Sequence, residues 1–175
     1  MSMTHTFSSP IGVVRLTEAD DFIIRIELID IADTLTLPTP LLHEAERQIM
    51  AYLDGKRQQL DFPIRMVGTP FQQRVWRALQ QIPYGTTRTY GAIAIMIGNP
   101  RASRAVGMAC NKNPLLLIVP CHRVVGANGT LTGFAYGTNA KQWLLELEEE
   151  AMLTSTIAPD QVVGIPLQEY LLTPR

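Results

Sequence analysis

Acid is missing from the middle of this chain. Between Phe62 and Leu145 there is no Asp or Glu, while Arg65, Arg74, Arg77, Arg88, Arg101, Arg104, Lys112, Arg123 and Lys141 all fall there. A net charge of −1 conceals this, because the flanking segments are net acidic. So long an acid-free stretch suits a face for a polyanion, since each cation near a phosphate displaces counterions. Pairing with the acidic ends of the chain is the plainer alternative. Cysteine is scarce too, limited to Cys110 and Cys121. None of His5, His43 and His122 stands at a paired spacing with either, so no metal is expected and both thiols read as reduced. No run of eighteen apolar residues exists to span a membrane. The start, MSMTHTFSSPIG, lacks the charged and apolar regions of a secretory leader, which points to a cytoplasmic protein. The 175 residues are 46% hydrophobic and 18% charged, a globular composition.

What is present divides in two. Residues 1–33 read as strands, with alternation at Val13–Leu16 and Phe22–Leu28 around a turn at Glu18–Asp21. Ala45, Ile49 and Leu53 then recur every fourth residue, predicting a helix closed near Gly55. Residues 1–67 are therefore expected to form a small α/β domain of sheet plus helix. Residues 68–150 are expected to form a mainly helical domain, and residues 151–175 a weakly patterned tail. Thr69-Pro70-Phe71-Gln72 carries a helix-start pattern, with Phe71, Val75 and Leu79 as the apolar face. Gly98 as a stop, Asn99 as a cap and Pro100 at the first position predict two short helices across a tight turn, a helix-turn-helix. Leu115–Pro120 reads as a buried strand or extended run, and 126–140 as a glycine-rich loop. Asn139 to Gln142 reads as a second capping box.

On a helix over 101–111, Ala102, Ala105, Val106 and Ala109 fall at core spacing. Arg101, Arg104, Met108 and Asn111 fall largely elsewhere, with Ser103 and Gly107 nearby. Such small residues let a helix lie close to another surface while Arg104 projects from it. Cys121 sits between Pro120 and His122 at the end of an apolar run. A thiol attacks as thiolate, and an imidazole nearby can take its proton. Neighbours on a strand point to opposite faces, so a direct Cys121–His122 bond is not expected. A bend after Pro120 or a bridging water would connect them. The imidazole also needs an orienting acid: downstream the first carboxylates are Glu146, Glu148, Glu149 and Glu150, and an upstream partner would lie in the first unit. Cys110, with no histidine beside it, reads as a structural thiol.

The segments FQQRVWRALQQIPYGTTRTYGAIA, NPRASRAVGMACNKNP and NPLLLIVPCHRVVGANGTLTGF, in that order, closely resemble the O6-alkylguanine-DNA alkyltransferases. The resemblance implies that Cys121 takes an alkyl group from O6 of guanine in double-stranded DNA and keeps it, without a cofactor. His122 would act as base through a water, Glu148 would orient it, and Asn113 would tie the recognition helix to the cysteine segment. Arg104 would fill the gap left by a flipped nucleotide, and Tyr90 would help to rotate it out. Ser103, Ala105 and Gly107 would line the close approach to the minor groove. Val124, Phe134, Ala135 and Tyr136 would line the substrate pocket. A monomer is expected; cooperative binding and action on O4-alkylthymine stay open. Phe134 stands where the family often has Tyr, and Tyr136 where many members have Gly. That predicts a tighter pocket, favouring methyl over benzyl. A cysteine hydrolase with a Cys–His–Glu set is one rival reading, which the acid-free stretch opposes. A non-enzymatic helix-turn-helix damage sensor is another, which the presence of Cys121 opposes.

Overall fold

The structure, a computed structural model, describes residues 1–32 and 37–156; most of the expected tail lies outside the described residues. Strands β1 (Ser2–Ser9), β2 (Gly12–Ala19) and β3 (Phe22–Ile29) form an antiparallel sheet in that order. The β2–β3 turn is tighter than the pattern suggested. Strand β2 runs on through Ala19, and only Asp20 and Asp21 turn the chain, with φ of 51° and 64°. Short polar residues tolerate this left-handed pair, whose twist matches that of the strands. A register shift between Thr17 and Glu18 explains how Ile23 and Ile26, three apart, both face the core.

Helix α1 (Pro40–Leu53) starts at Thr39, whose hydroxyl accepts from Leu42 N at 3.1 Å. The same hydroxyl donates to the Glu18 carboxylate, fastening the helix to β2. Leu42, Ala45, Ile49 and Tyr52 bury one face at helical spacing.

Helix α2 (Pro70–Leu79) has both bonds of the capping box. Gln72 N donates to Thr69 Oγ1 at 3.2 Å, and Thr69 N to Gln72 Oε1 at 3.0 Å. Its buried face centres on Val75, Trp76 and Leu79, while Phe71 is only partly covered. Trp76 Nε1 donates to Ala109 O at 2.9 Å and so pins a later helix.

Strand β4 (Arg88–Thr89) leads into α3 (Tyr90–Met96), whose cap is Thr89. Helix α4 runs Ser103–Asn111, starting later than expected. Ala102 N bonds to Asn99 O at 3.0 Å, so Asn99–Ala102 is a turn and Pro100 occupies its second position. Proline's fixed φ suits that place as well as the start of a helix. Residues 115–120 form no strand. Leu115 bridges Ile26 of β3, and Leu117 turns the chain with φ of 73°. Strand β5 (Val124–Val125) pairs parallel with β4. Helix α5 spans Thr138–Thr156, so Asn139 lies inside it. Gln142 donates forward to Glu146 at 2.8 Å, and the expected second capping box does not form.

One buried cluster, including Leu16, Ile26, Ile49, Trp76, Leu115, Val119 and Leu144, joins the sheet to the helices. Strand β3 also holds the segment leading to Cys121: Ile26 N donates to Pro114 O at 2.8 Å and Leu116 N to Ile26 O at 3.1 Å. Among the described residues, no helix is long and apolar enough to cross a membrane.

Candidate active site

The bend after Pro120 exists. Pro120 has φ −81° and ψ 63°, and Cys121 N donates to Val119 O at 2.8 Å, an inverse γ-turn. Cys121–Arg123 then make one 3-10 turn, all three buried. The turn sends consecutive side chains to different partners. Asn113 Nδ2 donates to Cys121 Sγ at 3.1 Å and to Val119 O at 2.7 Å. Asn113 Oδ1 accepts from Leu115 N at 2.9 Å, which locks the amide. His122 Nε2 meets Glu148 Oε1 at 2.7 Å, with both side chains fully buried. Among the described residues His122 Nδ1 has no partner. With Nε2 facing a carboxylate, the proton belongs there and Nδ1 is the acceptor.

Glu148 is the hub. Arg123 Nε and Nη2 reach its carboxylate at 2.9 and 2.8 Å, Gly85 N donates at 3.0 Å, and the Tyr52 hydroxyl donates as well. Burial works to raise the Glu148 pKa, but the bonds and charges of His122 and Arg123 outweigh it and hold the carboxyl at about 2. Burial lowers the His122 pKa against the pull of Glu148, so the ring is neutral at neutral pH. Burial raises the Cys121 thiol, opposed by the Asn113 bond, by Lys141 and by backbone N–H groups of the turn. At rest this is a thiol that needs a base.

An open cavity of about 560 Å³ is lined by Tyr90, Ser103, Arg104, Gly107, Thr132 and Gly133. Tyr90 OH donates to Thr132 O at 2.5 Å, and the buried Lys141 Nζ donates to the same carbonyl at 2.9 Å. Lys141 lies 5.8 Å from the Tyr90 ring centroid and 5.9 Å from that of Phe134. Gly133, with φ 71°, lets this loop rest on Tyr90: a Cβ there would come 2.5 Å from the hydroxyl. Gly107 is less constrained, since a Cβ would meet the Tyr90 ring at 3.8 Å. The other expected pocket residues are spread out. Val124 is buried in β5, and Phe134 packs edge-on against Tyr136 at 5.7 Å. Ala135 and Tyr136 line a separate cleft with Ile11 and Leu28 of the sheet. Ala105 is half-buried on α4.

Arg74, Arg77, Arg88, Arg101, Arg104 and Lys112 are exposed, and among the described residues none meets a carboxylate. Of the basic residues in the acid-free stretch, Arg65 and Arg123 are the two that form ion pairs among the described residues, with Asp20 and Glu148. Pairing with the acidic flanks thus reaches two of these cations among the described residues. Among the described residues there is no cluster of three or more potential metal ligands.

Sequence reasoning missed Tyr52, Arg123 and Lys141. Lys141 was within reach: Lys141, Leu144 and Glu148 stand at i, i+3 and i+7, one helical face, and all three are buried.

Fold and site together define a broad class, α/β proteins with a buried free thiol next in the chain to a buried His–Glu pair, and with exposed cations on the helical part. Comparison with known proteins narrows it. Residues 70–150 match the family of the 6-O-methylguanine DNA methyltransferase DNA-binding domain. A methylated-DNA–protein-cysteine methyltransferase from Methanosarcina acetivorans is 48% identical over 148 residues, covering 81% of this chain and 95% of that one. The crystal structure of the Mycobacterium tuberculosis O6-methylguanine methyltransferase aligns with a TM-score of 0.78 at 39% identity, over 99% of this chain and 100% of that one. That of the M. tuberculosis OGT in complex with DNA aligns with a TM-score of 0.77 at 45% identity, over 85% and 93%. The chain belongs to the methylated-DNA–protein-cysteine methyltransferase family.

Proposed function

We propose that this protein repairs DNA by moving the alkyl group of O6-alkylguanine, chiefly methyl, onto Cys121 Sγ, once per chain and irreversibly. The observation that carries the reading is the Cys121 thiol, bonded to Asn113 and placed one residue from a buried His122–Glu148 pair. His122 Nδ1 receives the thiol proton through one solvent molecule, and the imidazolium rests against Glu148. The thiolate attacks the alkyl carbon, the C–O6 bond breaks, and its electron pair stays on the purine, which takes up a proton. Tyr90, which lines the cavity, donates it once its hydroxyl leaves Thr132 O, or steers the base. No hydrolysis follows, so the thioether persists and no cofactor is needed.

The target atom lies inside a duplex, so the nucleotide must leave the stack, at lower cost when it is damaged. Arg104 at the cavity rim fills the gap. Helices α3 and α4 act as a helix-turn-helix, with the small residues Ser103, Ala105 and Gly107 admitting the minor groove. Residues 1–67 and 68–150 form the two domains, the second bearing the chemistry. Two free thiols suit a reducing cytoplasm.

Duplex DNA carrying one O6-methylguanine, followed by peptide mass spectrometry, tests the reading. One methyl per chain on the Cys121 peptide is the expected result; binding without mass gain would favour a damage sensor. Free O6-benzylguanine in the same assay should label slowly, because Tyr136, packed edge-on against Phe134, stands where many members of the family have glycine. Rapid labelling would overturn that selectivity.

A further inference from the structure

We propose that Tyr52 is a positioning residue for alkyl transfer: its hydroxyl shares the Glu148 carboxylate with His122 and thereby sets how readily His122 accepts the Cys121 proton. This rests on the reading of His122 as base. Tyr52 comes from α1, in the half of the chain that otherwise supports the site only by packing and backbone bonds. It is 1% exposed. Its hydroxyl donates to Glu148 Oε1, the same oxygen that His122 Nε2 meets at 2.7 Å. Its own oxygen accepts from Arg123 Nη2 at 3.3 Å. Phenylalanine would pack the ring as well, so the buried hydroxyl is there for its bonds. Burial, and then the Glu148 charge, push the phenol up, so it stays a donor wherever the protein folds.

Among the described residues, the groups facing Glu148 come from several elements. Tyr52 faces it from α1, Gly85 N and the Tyr84 ring from the segment after α2, and His122 and Arg123 from the 3-10 turn. Lys141, two turns earlier on α5, adds a positive charge that disfavours the imidazolium. Tyr52, His122 and Arg123 Nη2 all share Glu148 Oε1. A hydroxyl bonded there takes up part of the negative charge. Without it, more of that charge bears on His122, the imidazolium becomes easier to form, and the ring stays protonated to higher pH. Neutral His122, the working base, is then lost sooner as pH falls.

The test is the single-turnover transfer rate from O6-methylguanine duplex against pH, for the full chain and for Tyr52→Phe. The acid limb of the variant should move up by on the order of one pH unit. An equal loss of rate at every pH, with the limb in place, would show that Tyr52 serves packing alone and would overturn the proposal. Should Tyr52→Phe not fold, 3-fluorotyrosine placed at position 52 keeps the shape and makes a stronger donor. Its limb should move down, and an unmoved limb overturns the proposal. A natural chain with no acid limb at all would instead sink the role of His122 as base, and this inference with it.

Discussion

Cys110 and Cys121 are both buried, both free, and belong to the same core cluster. Burial raises both thiols, Cys110 to about 12. What separates them is their neighbours. Cys110 ends the buried face of α4, and beyond burial only Cys121, which raises it, and Lys141, which lowers it, act on it. Cys121 opens a 3-10 turn, takes an N–H from Asn113 and has His122 next in the chain. A buried sulfur becomes a nucleophile through the donors aimed at its anion and the base within reach, not through exposure.

Replacing the favoured sulfur should give the largest effect. Cys121→Ala should reduce alkyl transfer to background while leaving duplex binding intact, and Cys110→Ala should keep transfer; mass spectrometry and a binding titration read both. Transfer surviving in Cys121→Ala would break the contrast. Next comes the donor. Asn113→Ala removes the bonds to Cys121 Sγ and Val119 O and orphans Leu115 N, so the transfer rate should fall on the order of a hundredfold. Stability should fall by about 1–3 kcal/mol, read by urea unfolding. If its rate matches that of the natural chain, the thiolate needs no such donor.

A third effect is on acid stability. Glu148 is held at about 2 against 4.5 when free, so its contribution is complete above pH 4.5 and is lost as pH falls towards 2. His122, lowered from 6.5, acts in the same direction: the unfolded chain gains a proton below pH 6.5 that the folded chain resists. The Tm should therefore drop from pH 6.5 downward. Glu148→Gln should be less stable at neutral pH, by about 3–5 kcal/mol because Arg123 loses its partner. Its Tm should be flatter between pH 4.5 and 2. A steep fall there in the variant would place the acid sensitivity away from Cys121.

Local chemistry was legible in the sequence where one segment decides its own shape. Thr69 to Gln72 is such a case, since both capping bonds close within four residues. The start of α4 was not, because Pro100 fits a turn and a helix start equally well. The apolar run 115–120 hid a left-handed Leu117, a conformation that no side-chain pattern announces. The Cys–His–Glu set was found through family resemblance. Tyr52 escaped because its partner Glu148 lies 96 residues away, and only the packing of α1 against α5 and the turn brings them together.

The β4–β5 pair is two residues long, Arg88 opposite Val124 and Thr89 opposite Val125. Tyr90 follows one strand directly, and the 3-10 turn bearing Cys121 runs directly into the other. This short ladder works as a ruler. With strands about 4.8 Å apart, it sets the span between Tyr90 and Cys121. One residue inserted on either side would slip the scale and turn a side chain to the wrong face.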